Sequence, residues 1–182
     1  MKVDEALRFV HKGADLQKTH CGPLNSLYIS YKFRVGLLFY YAGKVDEALV
    51  VLNEVYNASK QVNGESNART LDTHYFIAGI LMGQGKNAEA RNTLELCLEP
   101  KNCVMWSEVG IAMAEYRLGI VLSALGDAAA DEHINVARST RERYLRDYPD
   151  RFGGGKRMDD QAIHDQMCSF WHGRVTSVMK QW

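Results

Sequence analysis

Residues able to do chemistry are spread thinly along this chain of 182 residues. The tightest grouping is His164, Cys168 and His172, spaced i, i+4 and i+8. On a helix, i and i+4 stand side by side, so His164 and Cys168 could share a zinc or copper ion. No third or fourth ligand lies close in sequence, and i+8 drifts round the helix. We therefore read the three as ordinary polar side chains and expect no metal and no cofactor. His11, His20, His74 and His133 occur singly and read as structural or surface residues. Cys21, Cys97, Cys103 and Cys168 form no C-x-x-C pair. Met1 to Glu5 reads as neither a signal nor a transit peptide, so thiols in a reducing, cytoplasmic compartment are expected.

Gly153-Gly154-Gly155 lacks the spacing and the Lys-Ser/Thr ending of a phosphate-binding loop. No serine, cysteine or carboxylate stands in a recognisable catalytic setting, so the chain reads as non-enzymatic. From Arg138 to Arg157 seven basic residues accompany three acidic ones. Such a run could meet nucleic acid or an acidic partner. It reads as a solvated helix face with pairs such as Glu142 and Arg146. Over the whole chain 22 basic and 22 acidic side chains cancel, so no net field favours nucleic acid or an anionic membrane. The most apolar stretch, Val35 to Ala42, falls far short of the ~20 residues of a membrane span. Neither nucleic acid nor membrane is an expected partner.

The elements that must position any site announce themselves by repetition. Lys2-Val3-Asp4-Glu5-Ala6-Leu7 recurs letter for letter as Lys44-Val45-Asp46-Glu47-Ala48-Leu49. One further step of 42 residues (44 − 2) reaches Lys86 and a looser copy, Lys86-Asn87-Ala88-Glu89-Ala90-Arg91. A degenerate fourth copy follows Gly126 as Asp127-Ala128-Ala129-Ala130. A fixed period of this size marks a solenoid, whose units bury their apolar faces only by stacking.

Aligned on the turn, Gly43, Gly85 and Gly126 each close a helix. Seven residues earlier stand Gly36, Ala78 and Gly119, small enough to let another helix approach. After the turn come Ala6, Ala48, Ala90 and, with one residue deleted, Ala130. Four further on are Val10, Leu52, Leu94 and Ile134, and three beyond those Gly13, Val55, Cys97 and Ala137. Steps of four and three trace one helical face. Each unit is thus helix A, glycine turn, helix B and loop. The expected helices span about 3–19, 26–42, 44–62, 67–84, 86–99, 104–125 and 127–146. The predicted organisation is a repeat array over 1–147, a Gly-rich loop over 148–157 and an amphipathic helix over 158–182.

This combination of small residue, glycine, alanine, aliphatic and small residue resembles the tetratricopeptide (TPR) pattern. The 42-residue period, with Gly64-Glu65 followed by Thr70-Leu71, looks like the kinesin-light-chain branch. Cys21-Gly22-Pro23 with Ser26-Leu27 is a second, weaker match. His-Pro is absent before Thr70, and Arg34, Phe76 and Arg117 replace the asparagine usual in helix A. The resemblance implies an all-α, right-handed solenoid of stacked helix-turn-helix repeats with a C-terminal capping helix. It also implies a protein-binding scaffold whose A helices line a groove.

The family's groove offsets fall on Phe33, Arg34, Leu37, Tyr40 and Tyr41, then on Asp72, Tyr75, Gly79 and Met82, and then on Met113, Tyr116, Arg117, Ile120 and Ser123. Phe33, Tyr75 and Tyr116 share one offset and would form an aromatic ladder. The alternative is that these aromatics pack repeat against repeat or against the tail. Such a groove suits a peptide with aromatic or aliphatic anchors and nearby acid. The carboxylate clamp of chaperone-type members is matched by Arg117 alone and is not expected.

The first helix has no helix A before it, so Leu7, Phe9, Val10 and Leu16 are expected to be partly bare. Two explanations stand. The chain is a fragment or shortened form of a longer signalling protein, in which the array serves as sensor or oligomerisation module of a nucleotide-switch ATPase. Otherwise the bare end helices pair between protomers.

Overall fold

The computed structural model describes residues 3–99 and 106–147. The expected loop over 148–157 and the helix over 158–182 lie outside the described residues, as do Cys103, His164, Cys168 and His172. Among the described residues there are seven α-helices and no strand. They are α1 (Val3–Cys21), α2 (Ser26–Tyr41), α3 (Val45–Asn63), α4 (Ala68–Gly83), α5 (Asn87–Leu98), α6 (Glu108–Ala124) and α7 (Ala130–Asp147). In the repeat register α2, α4 and α6 are A helices and α1, α3, α5 and α7 are B helices. The chain forms two compact units, Met1–Gln84 and Gly85–Trp182. Their boundary falls at the glycine turn inside the repeat expected over 67–99.

The two helix types start differently. Each A helix is capped by a side chain that satisfies amides of its first turn. The Asn25 side chain accepts from the Leu27 and Tyr28 amides at 2.9 and 3.3 Å. Asn67 accepts from Arg69 N at 3.0 Å, and Ser107 from Gly110 N at 3.0 Å. The B helices α3 and α5 begin at Lys44 and Lys86, which make no side-chain cap. Acids in the first turn, Asp46 and Glu47 in α3 and Glu89 in α5, offset the exposed helix dipole instead. At the fourth copy an acid replaces lysine, and Asp127 Oδ1 takes the Ala129 amide at 3.0 Å. That local turn delays α7, which starts at Ala130 rather than near 127.

All three repeat turns share one backbone conformation. Gly43, Gly85 and Gly126 have φ of 74°, 72° and 73°, where a Cβ would be strained. The residue after the glycine folds back onto the helix just ended. Lys44 N donates to Phe39 O, and Asp127 N to Leu122 O, both at 2.9 Å. This is a Schellman closure, and it turns the chain tightly enough to lay helix B on helix A.

In the first unit α2 packs between α1 and α3, and α4 packs on α3. Gly36 of α2 lies against Leu52 of α3, and a Cβ there would stand 2.7 Å from Leu52 Cγ. On α3, Ala48, Leu52 and Val55 are buried, as the four-then-three spacing predicts. The loop before α4 is locked by a buried hydroxyl: Thr70 Oγ1 donates to Gly64 O at 2.9 Å. This bond joins the two ends of the Gly-Glu…Thr-Leu stretch singled out in the sequence.

In the second unit α6 lies between α5 and α7. Gly119 of α6 faces α7 even more closely. A Cβ there would meet Ile134 Cγ1 at 2.5 Å and the Ala130 carbonyl oxygen at 2.9 Å. Ala90, Leu94 and Cys97 on α5 and Ala130 and Ala137 on α7 are buried on the same predicted face. Trp106, in the loop before α6, is buried over Gly110, whose missing Cβ leaves room for the indole.

These contacts rank two otherwise identical substitutions. At Gly119 an added methyl collides with backbone, which cannot rotate away. At Gly36 it meets Cγ and Cδ2 of buried Leu52, side-chain atoms rather than backbone. Gly119→Ala is expected to destabilise the protein by about 2–3 kcal/mol and Gly36→Ala by about 1 kcal/mol. Chemical denaturation monitored by circular dichroism checks the order, and equal midpoints would show that these contacts do not set the helix spacing.

Candidate functional site

The residues assigned to the groove divide by burial. On α2, Phe33 and Leu37 are buried, while Arg34, Tyr40 and Tyr41 are exposed. On α4, Asp72 and Tyr75 are buried, and Gly79 and Met82 are half-buried. On α6, Met113 is buried, Tyr116 and Arg117 are half-buried, and Ile120 and Ser123 are exposed. The inward set therefore offers no surface to a ligand in this structure, and the outward set does.

Within the first unit, Phe33 and Tyr75 are joined through a residue that sequence reasoning had set aside. The Phe76 ring stands edge-on to Phe33 with centroids 5.5 Å apart and to Tyr75 with centroids 6.5 Å apart. This edge-to-face chain couples α2 to α4. Phe76 occupies a position where the resemblance led us to look for asparagine. The available signal was a second aromatic beside Tyr75, on the face turned toward α2. Tyr116 belongs to the second unit and is placed by α6 alone.

On the outer side of α2, Tyr40 and Tyr41 pack edge to face with centroids 5.3 Å apart. Each keeps more than a third of its surface, at 36% and 40% exposure. The Arg34 guanidinium lies 5.6 Å from the centroid of the Tyr31 ring. Tyr31 in turn fills the space left by Gly13 of α1, where a Cβ would fall 2.7 Å from the ring. α2 thus carries two exposed aromatic rings at its C-terminal end and an arginine about two turns earlier.

Electrostatics in the first unit are dominated by one histidine. His74 stacks on Tyr56 with ring centroids 3.9 Å apart and planes 10° from parallel. Its Nδ1 is buried with no hydrogen-bond partner among the described residues. Burial pushes its pKa down from 6.5 to about 4, with Lys60 acting in the same direction and Glu65 opposing. The neutral ring is the one that fits. Lys60 is held beside it by Glu65 at 2.7 Å. In the second unit His133 Nδ1 meets Glu115 Oε2 at 2.5 Å, tying α7 to α6.

Among the described residues, no group of three or more His, Cys, Asp or Glu could hold a metal ion. Cys21 and Cys97 are free thiols, exposed and buried respectively. No helix among the described residues is long and apolar enough to cross a membrane.

Two predictions separate core from surface. Tyr75→Ala should lower stability by about 3 kcal/mol or more, whereas Tyr41→Ala should cost under about 1 kcal/mol. Thermal or chemical denaturation of the two variants decides this. Because the His74 pKa is depressed on folding, the unfolded chain takes the proton first as pH falls. Stability is then full above the unfolded value and declines below it, by roughly 2 kcal/mol between about pH 7 and pH 5. Denaturation midpoints across that range should show the slope, and His74→Phe should flatten it.

No family model matches the chain, and no curated protein matches it either. Solved structures do. A kinesin-light-chain-type protein of Podosopora anserina with nearly identical TPR-like repeats matches in its Q17M form with a TM-score of 0.64 at 14% identity, over 98% of this chain and 80% of that one. The same protein without that change matches with a TM-score of 0.63 at 13% identity, over 98% and 81%. BtubC (BKLC) from P. vanneervenii matches with a TM-score of 0.67 at 15% identity, over 86% of this chain and 61% of that one. The chain therefore spans about three-fifths of the length of BtubC. At these identities the likeness is one of fold. Among the described residues the fold is all-α, and it is that of TPR-like repeats such as those of these kinesin-light-chain structures.

Proposed function

We propose that this protein is a non-enzymatic interaction scaffold that binds a peptide segment of a protein partner along its helix-A face. The observation that carries the reading is the surface of α2: exposed Tyr40 and Tyr41, with exposed Arg34 about two turns earlier, on a helix held by buried Phe33, Val35 and Leu37. Tyrosine and arginine are the residue types that dominate binding energy in interfaces. Aromatic side chains presented from a packed helix also lose little conformational freedom on binding. TPR-like arrays commonly serve protein–protein interaction, and the repeat fold supports the same reading here.

The chemistry of the patch defines the ligand. Two adjacent aromatic rings suit an aromatic or aliphatic anchor, and the Arg34 guanidinium would donate to a carboxylate about two helical turns away. Half-buried Met82 on α4 extends the apolar surface within the first unit. Tyr116, Arg117 and Ile120 offer a similar combination on α6 in the second unit. Free thiols at Cys21 and Cys97 suit a reducing, cytoplasmic setting.

A peptide array probed with the full chain tests the proposal. Selected peptides should pair an apolar anchor with an acidic residue. Tyr41→Ala should weaken their binding about tenfold or more, the scale of a hot-spot residue. Arg34→Glu should select against the acidic peptides while sparing purely apolar ones. Absence of any selective peptide, or binding indifferent to both substitutions, would sink the assignment.

A further inference from the structure

We infer that the gap between α2 and α3, at the end remote from their Gly43 turn, is a second peptide site. It would take one aliphatic or phenyl side chain with a lysine or arginine next to it. There the two helices and the loop before α2 enclose a cavity of about 180 Å³. Its depth is apolar, closed by Ile29 at 6% exposure and Val55 at 2%. Pro23 and Leu24 form the outer lip, and Leu24 stays 43% exposed. The 42-residue period shows what sets this place apart. Tyr28 stands in the position that Thr70 fills in the next copy. Thr70 ties its loop by donating to Gly64 O at 2.9 Å, whereas Tyr28 lines the cavity. Lys32 corresponds in the same way to His74. His74 is stacked on Tyr56, whereas Lys32 reaches Glu54 of α3 at 2.8 Å.

Size and charge together define the occupant. Sites for whole small molecules run from about 300 Å³ upward, whereas an apolar cavity of about 150 Å³ takes a benzene-sized group. The space between α2 and α3 is therefore that of one side chain, with the peptide main chain left outside over Leu24. An isobutyl or phenyl group seated there gains the burial of its own apolar surface and covers Leu24 as well. The flanking residue is sorted by the ion pair that lines the cavity. The Lys32 side chain is 22% exposed and that of Glu54 57%, so the cation is mostly covered and the carboxylate is the outer partner. An ion pair this exposed contributes under about 1 kcal/mol, too little to reserve Glu54 for Lys32. A lysine or arginine beside the anchor would share the carboxylate, and an aspartate or glutamate would meet like charge. This preference is the reverse of the one expected at Arg34, so the two surfaces select different peptides.

Two synthetic peptides test this, alike except that a central leucine is flanked by arginine in one and by glutamate in the other. Fluorescence anisotropy of the labelled peptides against the full chain should show the arginine form binding about tenfold tighter or more. Ala58 lines the cavity from α3, so Ala58→Phe fills it and should remove that binding. Glu54→Gln should erase the difference between the two peptides. Circular dichroism checks that each variant keeps its helices. If Ala58→Phe loses helix, Leu24→Ser at the exposed lip serves in its place and should weaken binding about tenfold. Acidic peptides selected by the Tyr40 and Tyr41 patch should bind Ala58→Phe as they bind wild type, so failure of one site is seen separately from failure of the other. The inference is overturned if the arginine peptide does not bind, if wild type binds both peptides equally, or if binding survives the cavity variant. Self-association of the chain that Ala58→Phe abolishes would also overturn it, by showing a second copy as the occupant.

Discussion

Gly36 and Gly119 let one helix lie directly on the side chains of the next, and the rest of each repeat is arranged to exploit that approach. Any larger residue at these positions would push the helices apart, because the nearest atoms already occupy the space of a Cβ. Close approach at Gly36 buries the alanine and aliphatic face of α3, with Ala48 and Leu52 at zero exposure. Burial on that scale contributes about 1.5–3 kcal/mol for each large aliphatic side chain. It depends in turn on the glycine turns, whose positive φ brings helix B back along helix A within three residues. Turn, gap and buried face therefore form one interlocking unit, and that unit recurs because no part of it works alone.

The fold was readable because its constraints are local and periodic. Glycine at 43, 85 and 126 could only mean a repeated turn, and the four-then-three spacing after it named the buried face of helix B. The start of α7 was less readable. The deletion after Gly126 was visible, but the Asx turn made by Asp127, which holds back the helix, depends on a side-chain rotamer. The groove was least readable. Family offsets assigned residues on α2, α4 and α6, yet burial depends on what packs above each position. Phe33 and Tyr75 are drawn inward by Phe76, a residue whose role no spacing rule announces. Tyr40 and Tyr41, at neighbouring offsets, are left outside.

That partition of aromatics has a physical logic. An aromatic ring at a helix-A position can either weld one A helix to the next or remain available to a partner. Phe33, Phe76 and Tyr75 do the first in the first unit, which makes the α2 surface stiff. Tyr40, Tyr41 and Arg34 sit on that stiffened surface. The buried neutral His74 stacked on Tyr56 adds a similar weld between α3 and α4, one that protonation would undo.

The replacement of lysine by aspartate at the fourth turn sets that copy apart from the others. Lys2, Lys44 and Lys86 open three copies, whereas Asp127 opens the fourth and holds Arg91 of α5 at 3.2 Å. Arg91 also holds Glu95 on its own helix at 2.7 Å. A lysine at 127 would face that guanidinium with like charge. The copies are consequently not interchangeable parts. Each carries a mark of its place in the order, so shuffling or multiplying them would lose information that the uniform backbone does not display.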